Sequence, residues 1–290
     1  MSYRSALLLS AASLLMNSAA MQAADSAPPP LPDGYKLVWS DEFDKPGLPD
    51  PTKWSYEVGF VRNKEAQYYT EARIQNTEVK DGHLVIKGIK EEFPNPKGKP
   101  GATEGKHGEM AHYTSGSIRT KDKASWTYGR IEVRAKLPEG KKGMWPAIWT
   151  LGINHDEPGH GWPKCGEIDI MEFVGKEPEK IHGTLHWFNP VKDKHDSLGK
   201  SLAVDQPWAD FHIYTVDWTA DKMDIYYDGQ LYHTMPIEGN PALPAGDDNP
   251  FHKPQYLILN LALGGGWGGP IDDTALPQEF QVDYVRVYQK

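Results

Sequence analysis

Apolar and polar residues along this chain alternate in short runs with a period of two, the repeat of a pleated strand whose successive side chains face opposite sides. Such runs, rich in β-branched and aromatic residues, cover Tyr35–Trp39, His83–Ile89, Gly116–Thr120, Gly129–Leu137 and Glu167–Phe173. The pattern returns at His182–Phe188, His212–Trp218, Met223–Tyr227, Tyr256–Leu263 and Gln281–Tyr288. Glycine, proline, aspartate or asparagine bounds each run, and Asp228-Gly229 joins two of them as a hairpin signal in which glycine supplies the positive φ. Polar segments at Glu91–His112, Asn154–Lys164 and Glu238–Lys253 read as loops. The chain shows neither an internal repeat nor a long apolar pattern at helical spacing. The predicted architecture is therefore all-β, a sandwich or jelly roll.

The amino end departs from this pattern. Arg4 is the only charge between Met1 and Ala24, and it precedes the apolar run Ala6–Met16 and the small residues Ser18-Ala19-Ala20. That order is the order of a secretory signal peptide, because the apolar run is well short of the roughly 20 residues a membrane span needs. Cleavage between Ala20 and Ala24 is expected, giving a secreted or periplasmic protein. A Pro-rich leader over residues 25–34 then precedes a single domain over residues 35–290.

Charge and cysteine usage narrow the partners. The chain carries 40 acidic against 31 basic residues, a formal net charge of −9. Loss of Arg4 with the leader makes the balance more negative still, which disfavours nucleic acid and anionic membranes as partners. Cys165 is the only cysteine, so an intramolecular disulfide and a thiolate metal cluster are both excluded. With no HExxH, phosphate-loop or dinucleotide glycine pattern, no cofactor is expected for catalysis. The expected state is a monomer.

The chemistry concentrates in Gly166–Glu172. Alternation puts Glu167 and Asp169 on one face of a strand and Ile168 and Ile170 on the other. Strict alternation would send Glu172 among the isoleucines, where a lone carboxylate is costly. Met171 is therefore read as the extra residue of a β-bulge that returns Glu172 to the face of the other two acids. Three carboxylates on one face repel one another's charge, so at least one holds its proton towards neutral pH, as a general acid requires. Two glutamates leaning inward across about four strand steps, roughly 13 Å of backbone, can approach the ~5 to 5.5 Å separation of a retaining glycosidase. In that chemistry Glu167 is the nucleophile, Glu172 the acid/base, and Asp169 orients a glutamate. The same pattern also describes a solvated acidic face or a calcium site.

Aromatic residues accompany the acids. Gly143–Trp149 puts Trp145 and Trp149 on one side of an extended segment, as stacking faces for pyranose rings or as sandwich core. His182, Thr184 and His186 share a face of the following run, where His186 either reaches the acids or is structural.

Together these residues carry a family resemblance. Gly161–Gly175 resembles the signature of glycoside hydrolase family 16, in the laminarinase-like branch whose motif contains the inserted methionine that lichenase-type relatives lack. Trp39–Phe43, Asn63–Thr70, Thr114–Thr120, Tyr128–Ala135, Gly143–Trp149, Asn260–Gly269 and Val282–Tyr288 extend the resemblance over nearly the whole mature chain. The resemblance implies a concanavalin-like β-jelly roll with a substrate cleft on its concave sheet, and endo-β-1,3-glucanase activity on a β-glucan. It makes Glu167 the nucleophile and Glu172 the acid/base, in agreement with the alternation. Carried over residue by residue, it lines the cleft with Asn63, Arg119, Trp145, Trp149, His186 and Trp267. A surface ion pair for Arg119 and a packed turn for Trp267 are the bland alternatives. The resemblance further implies a structural calcium held by Glu42, the Gly82 carbonyl and Asp283. A family-16 enzyme for agarose, carrageenan, galactan or mixed-linkage glucan remains open, with Lys97, Lys99, Lys106 and His107 as candidate sulfate contacts. A lectin on the same fold is the third reading.

Overall fold

The structure, a computed structural model, describes residues 27–102 and 105–290. The expected signal peptide, Met1–Ala24, lies outside the described residues. In chain order the strands are β1 Lys36–Asp41, β2 Ser55–Tyr56, β3 Tyr68–Tyr69, β4 Thr77–Lys80, β5 His83–Pro94 and β6 Met110–Ser115. They continue with β7 Ser117–Arg119, β8 Gly129–Lys136, β9 Met144–Gly152, β10 Glu167–Glu172, β11 Lys180–Asn189 and β12 Lys194–Ala203. β13 His212–Trp218, β14 Lys222–Tyr227, β15 Gln230–Pro236, β16 Gln255–Leu263 and β17 Gln278–Gln289 complete the order. Among the described residues no helix is long and apolar enough to cross a membrane.

Two sheets result. A ten-stranded sheet runs β15-β14-β13-β8-β17-β5-β6-β3, with β1 joined to β17 and β4 to β5, and a seven-stranded sheet runs β12-β11-β10-β9-β16-β7-β2. The core lies between them. Ile168 and Ile170 of β10, Leu185 and Trp187 of β11, and Leu257, Leu259 and Leu261 of β16 meet Ile131 and Val133 of β8, Val216 and Trp218 of β13, and Val285 and Val287 of β17. Burial of each such side chain stabilises the fold by about 1.5 to 3 kcal/mol. The alternate residues of the same strands, Trp149 on β9, His186 on β11 and Asn260 on β16 among them, face outward into a cleft. The fold is the expected β-jelly-roll sandwich, and its seven-stranded sheet carries core on one face and cleft on the other.

Three stretches differ from the sequence expectation. The supposed loop Glu91–His112 starts and finishes in strand, since β5 continues to Pro94 and β6 begins at Met110. β12 is a full strand, although Lys194–Ala203 is largely polar and mostly exposed, with only Leu198 and Leu202 packed against the core. The hairpin at Asp228-Gly229 forms as expected, with φ of 47° and 78°, but its second arm is β15, whose residues were not among the predicted runs.

Candidate active site

The site begins with an irregularity in β10. Towards β9 the ladder passes from Asp169↔Trp149 directly to Met171↔Ile148, which leaves Ile170 without a partner. Towards β11 it jumps from Asp169↔Thr184 to Glu172↔His182. Ile170 and Met171 both point into the core, so the chain changes phase and Glu172 emerges on the side of Glu167 and Asp169. The expected bulge is present, with the unpaired position at Ile170 rather than Met171. Gly183 opposes it on β11, where a Cβ would stand 2.6 Å from the Tyr232 hydroxyl. Gly166 turns the chain into β10 with a φ of 74°, and a Cβ there would lie 2.7 Å from Pro250.

The three carboxylates lie in a cleft of about 800 Å³, and Asn63, Arg119, Trp145, Trp149, His186 and Trp267 line the same cleft. All nine residues singled out from the sequence as catalytic or substrate-binding are therefore brought together. Trp145 Nε1 donates to Glu172 Oε1 at 3.0 Å. Trp267 meets Trp145 edge to face at 5.4 Å and His182 at 5.0 Å. Trp149 Nε1 donates to Asn260 Oδ1 at 2.7 Å, while the Arg62 guanidinium lies over its ring at 4.8 Å. One face of the Trp149 ring is thus covered by a cation, which gains from the ring's negative face. Arg62 is in turn held by Glu57, and Arg119 Nη1 lies 3.8 Å from the same carboxylate. Asn63, at a φ of 54°, donates through Nδ2 to Glu65 Oε1 at 3.3 Å.

His186 reaches the acids through one ring nitrogen. Its Nε2 stands 3.1 Å from Asp169 Oδ2 and 3.9 Å from Glu167 Oε1, so it meets the nucleophile candidate and its neighbour rather than Glu172. Its Nδ1 is 2.8 Å from His195 Nε2.

Crowding shows in the titration of the acids. Burial, then the charge of Asp169, pushes Glu167 up to about 8. Burial, then the charge of Glu167, pushes Glu172 up to about 7, and Asp169 is raised well above the usual aspartate range by burial and by Glu172. The cluster therefore shares protons near neutral pH instead of carrying three charges. What opposes the rise differs between the glutamates. His186 and Arg62 favour the ionised form of Glu167, whereas the Trp145 N–H is the leading group that does so at Glu172.

Sequence reasoning passed over several cleft residues, Arg62, Trp162 and His195 among them. Arg62 neighbours Asn63, and Trp162 sits inside the signature run, so both carried a positional signal. His195 carried none, because β12 was not recognised as a strand. Its ring lies 4.7 Å from that of Trp162 and joins the cleft wall beside His186. Lys97, Lys99, Lys106 and His107 are not among the cleft residues, which removes the support they lent to a sulfated substrate.

The residues expected to hold calcium lie at neighbouring strand positions. β5 reaches Val282 of β17 through Leu84, and β1 reaches Val285 through Asp41, so Gly82 and Glu42 flank Asp283. Their carboxylates are engaged, however: Arg286 Nη2 bonds Glu42 Oε2 at 2.8 Å and Arg134 Nη1 bonds Asp283 Oδ2 at 2.7 Å. Two guanidiniums beside the carboxylates fit a calcium ligand set poorly, and Glu42 in particular is taken through both oxygens.

Comparison with known proteins agrees with this geometry. The family model described as glycosyl hydrolases family 16 matches residues 65–286. A beta-glucanase from Rhodothermus marinus is 43% identical over 261 residues, which span 88% of this chain and 85% of its own length. The X-ray structure of the laminarinase from Rhodothermus marinus has a TM-score of 0.75 at 43% identity, over 88% of this chain and 97% of that one. A variant of a non-specific endo-β-1,3(4)-glucanase of family 16, co-crystallised with a glucan oligosaccharide, has a TM-score of 0.76 at 42% identity, over 91% and 98% of the two chains.

Proposed function

The chain belongs to glycosyl hydrolase family 16, and from that membership we propose that it is a retaining endo-glycoside hydrolase cleaving β-1,3-glucosidic bonds in laminarin-type β-glucans. One observation carries the mechanism: the bulge in β10 turns Glu167, Asp169 and Glu172 to a single face of the cleft. Glu172, protonated in the working form, gives its proton to the departing glycosidic oxygen while ionised Glu167 attacks the anomeric carbon. The glycosyl–oxygen bond breaks as the Glu167–sugar ester forms. Water then attacks that ester with Glu172 as base, and the sugar leaves with its original β configuration. Burial holds Glu167 at about 8 and Glu172 at about 7 in the free protein, so the coupled pair shares a proton, and the two roles rest on family membership and not on the order of these values. Asp169 is a positioning residue beside Glu167.

No cofactor takes part in these steps. Secretion is proposed from the leader Met1–Ala24 alone, and a monomer from the composition. The substrate reading is tested by incubating the protein with laminarin, lichenan, curdlan, agarose and carrageenan and resolving the products over time. Long laminari-oligosaccharides are expected early, and release from agarose alone sinks the reading. Roles are tested with azide and an activated aryl β-glucoside. Glu167→Gly should yield the α-glucosyl azide and Glu172→Ala the β-azide; exchanged products would exchange the two assignments.

A further inference from the structure

Glu167, Asp169 and His186 each aim one ligand atom at a common point, with all three atoms within 4.8 Å of one another. A separate feature marks that point as a place for a ligand. Asp169 is only 2% exposed, and its buried Oδ2 accepts no hydrogen bond even though His186 Nε2 stands 3.1 Å away. Where His186 is neutral with its proton on Nδ1, Nε2 and this oxygen present lone pairs to each other across that distance. The far side of the imidazole is tied down as well, by the 2.8 Å contact between His186 Nδ1 and His195 Nε2. When His186 gives its Nδ1–H to His195, its Nε2 keeps a lone pair directed at the two carboxylates. A histidine that ligates a metal is held by an outer partner in the same way.

We infer that this point is a binding site for a divalent transition-metal cation of the zinc or copper type, held by Glu167, Asp169 and His186, whose occupancy switches hydrolysis off. Tetrahedral ligands about 2.0 to 2.1 Å from zinc lie roughly 3.3 Å apart. The 3.1 Å separation of His186 Nε2 from Asp169 meets that spacing, and the 3.9 Å separation from Glu167 requires the glutamate to lean in by about half an ångström. Calcium and magnesium, which take six or more oxygen ligands, are poorly served by two carboxylates and an imidazole, whereas zinc and copper accept that mixture. The Arg62 guanidinium, which also acts on Glu167, is paired with Glu57. A cation so held occupies the nucleophile and the space of the anomeric carbon. Sugar and metal therefore exclude each other.

The test uses the full protein after chelator treatment. Cobalt(II) is titrated by calorimetry and visible absorption, and zinc is added to laminarin hydrolysis. One cobalt ion per chain is expected, with absorption of a low-coordinate nitrogen–oxygen site, together with zinc inhibition that is competitive with glucan and reversed by EDTA. His186→Phe should weaken cobalt binding about 100-fold with its melting temperature within a few degrees of the parent, and His195→Gln about 10-fold. Glu92→Gln, altering an exposed carboxylate paired with His112, should leave the cobalt spectrum unchanged. The inference is overturned if no cobalt spectrum develops at millimolar metal, if it survives in both His186→Phe and Glu167→Gln, or if zinc inhibits without competing with glucan. The switching part rests on the proposed function, whereas the cobalt spectrum requires no turnover, so failure to hydrolyse laminarin would sink the functional reading and leave the metal site itself decided by the spectrum.

Discussion

Trp145 Nε1 donates to Glu172 Oε1, and that bond favours the ionised acid against the upward push of burial. Removing it in Trp145→Phe should raise the pKa of Glu172 above its present value of about 7. A general acid works only while protonated, so the alkaline limb of kcat/KM should move to higher pH, with the maximum reduced several-fold. A pH–rate profile on laminarin checks this; an unmoved alkaline limb would remove the indole from control of the proton. At this scale the sequence was most legible where residue type alone limits the role. Three acids in one strand narrowed the chemistry, and the resemblance along the whole chain named six further residues that the cleft contains. Arg62 was illegible as a partner of Trp149 because a cation over a ring is a tertiary contact with no spacing rule behind it.

The bulge is the feature of β10 on which the site depends, and it can be tested by changing the strand's length. Deleting Met171 restores plain alternation with all three acids still on one face, so fold and part of the activity should survive. Inserting alanine between Met171 and Glu172 turns Glu172 towards the core and should lower kcat by about 100-fold or more, the usual worth of a general acid. Parallel assays and melting curves of the two variants check the pair, and equal activity in both would contradict the phase argument. Strands with one wet and one dry face were read from the sequence directly. β9, buried at every position as β16 is, was read only as an extended segment. β12 escaped, having little apolar surface to mark either side.

For the whole molecule, a buried acidic cluster is a burden on stability. Glu167 holds its proton up to about pH 8 in the folded chain, against 4.5 for an unperturbed glutamate. Between those values the folded state binds a proton that the unfolded state releases, so the stability present below pH 4.5 is lost as pH rises through 8. Glu167→Gln mimics the protonated form at every pH. It should melt about 2 to 6 °C higher than the parent near pH 8, from about 1 to 2 kcal/mol, and show no gain near pH 4. Calorimetry at the two pH values checks the sign, and an equal gain at both would argue against a titrating origin. Alternation and the signature made the two-layer architecture legible, but not this cost, which arises only when the cleft walls gather around the acids. The exposed strand β12 has its own large-scale consequence. It ends the seven-stranded sheet with Lys194, Asp196 and Lys200 along its length. Fixed charges there discourage a second copy from adding its own strand. Molecules crowded together on an insoluble polymer should therefore stay separate particles and resist growing into fibrils from that edge.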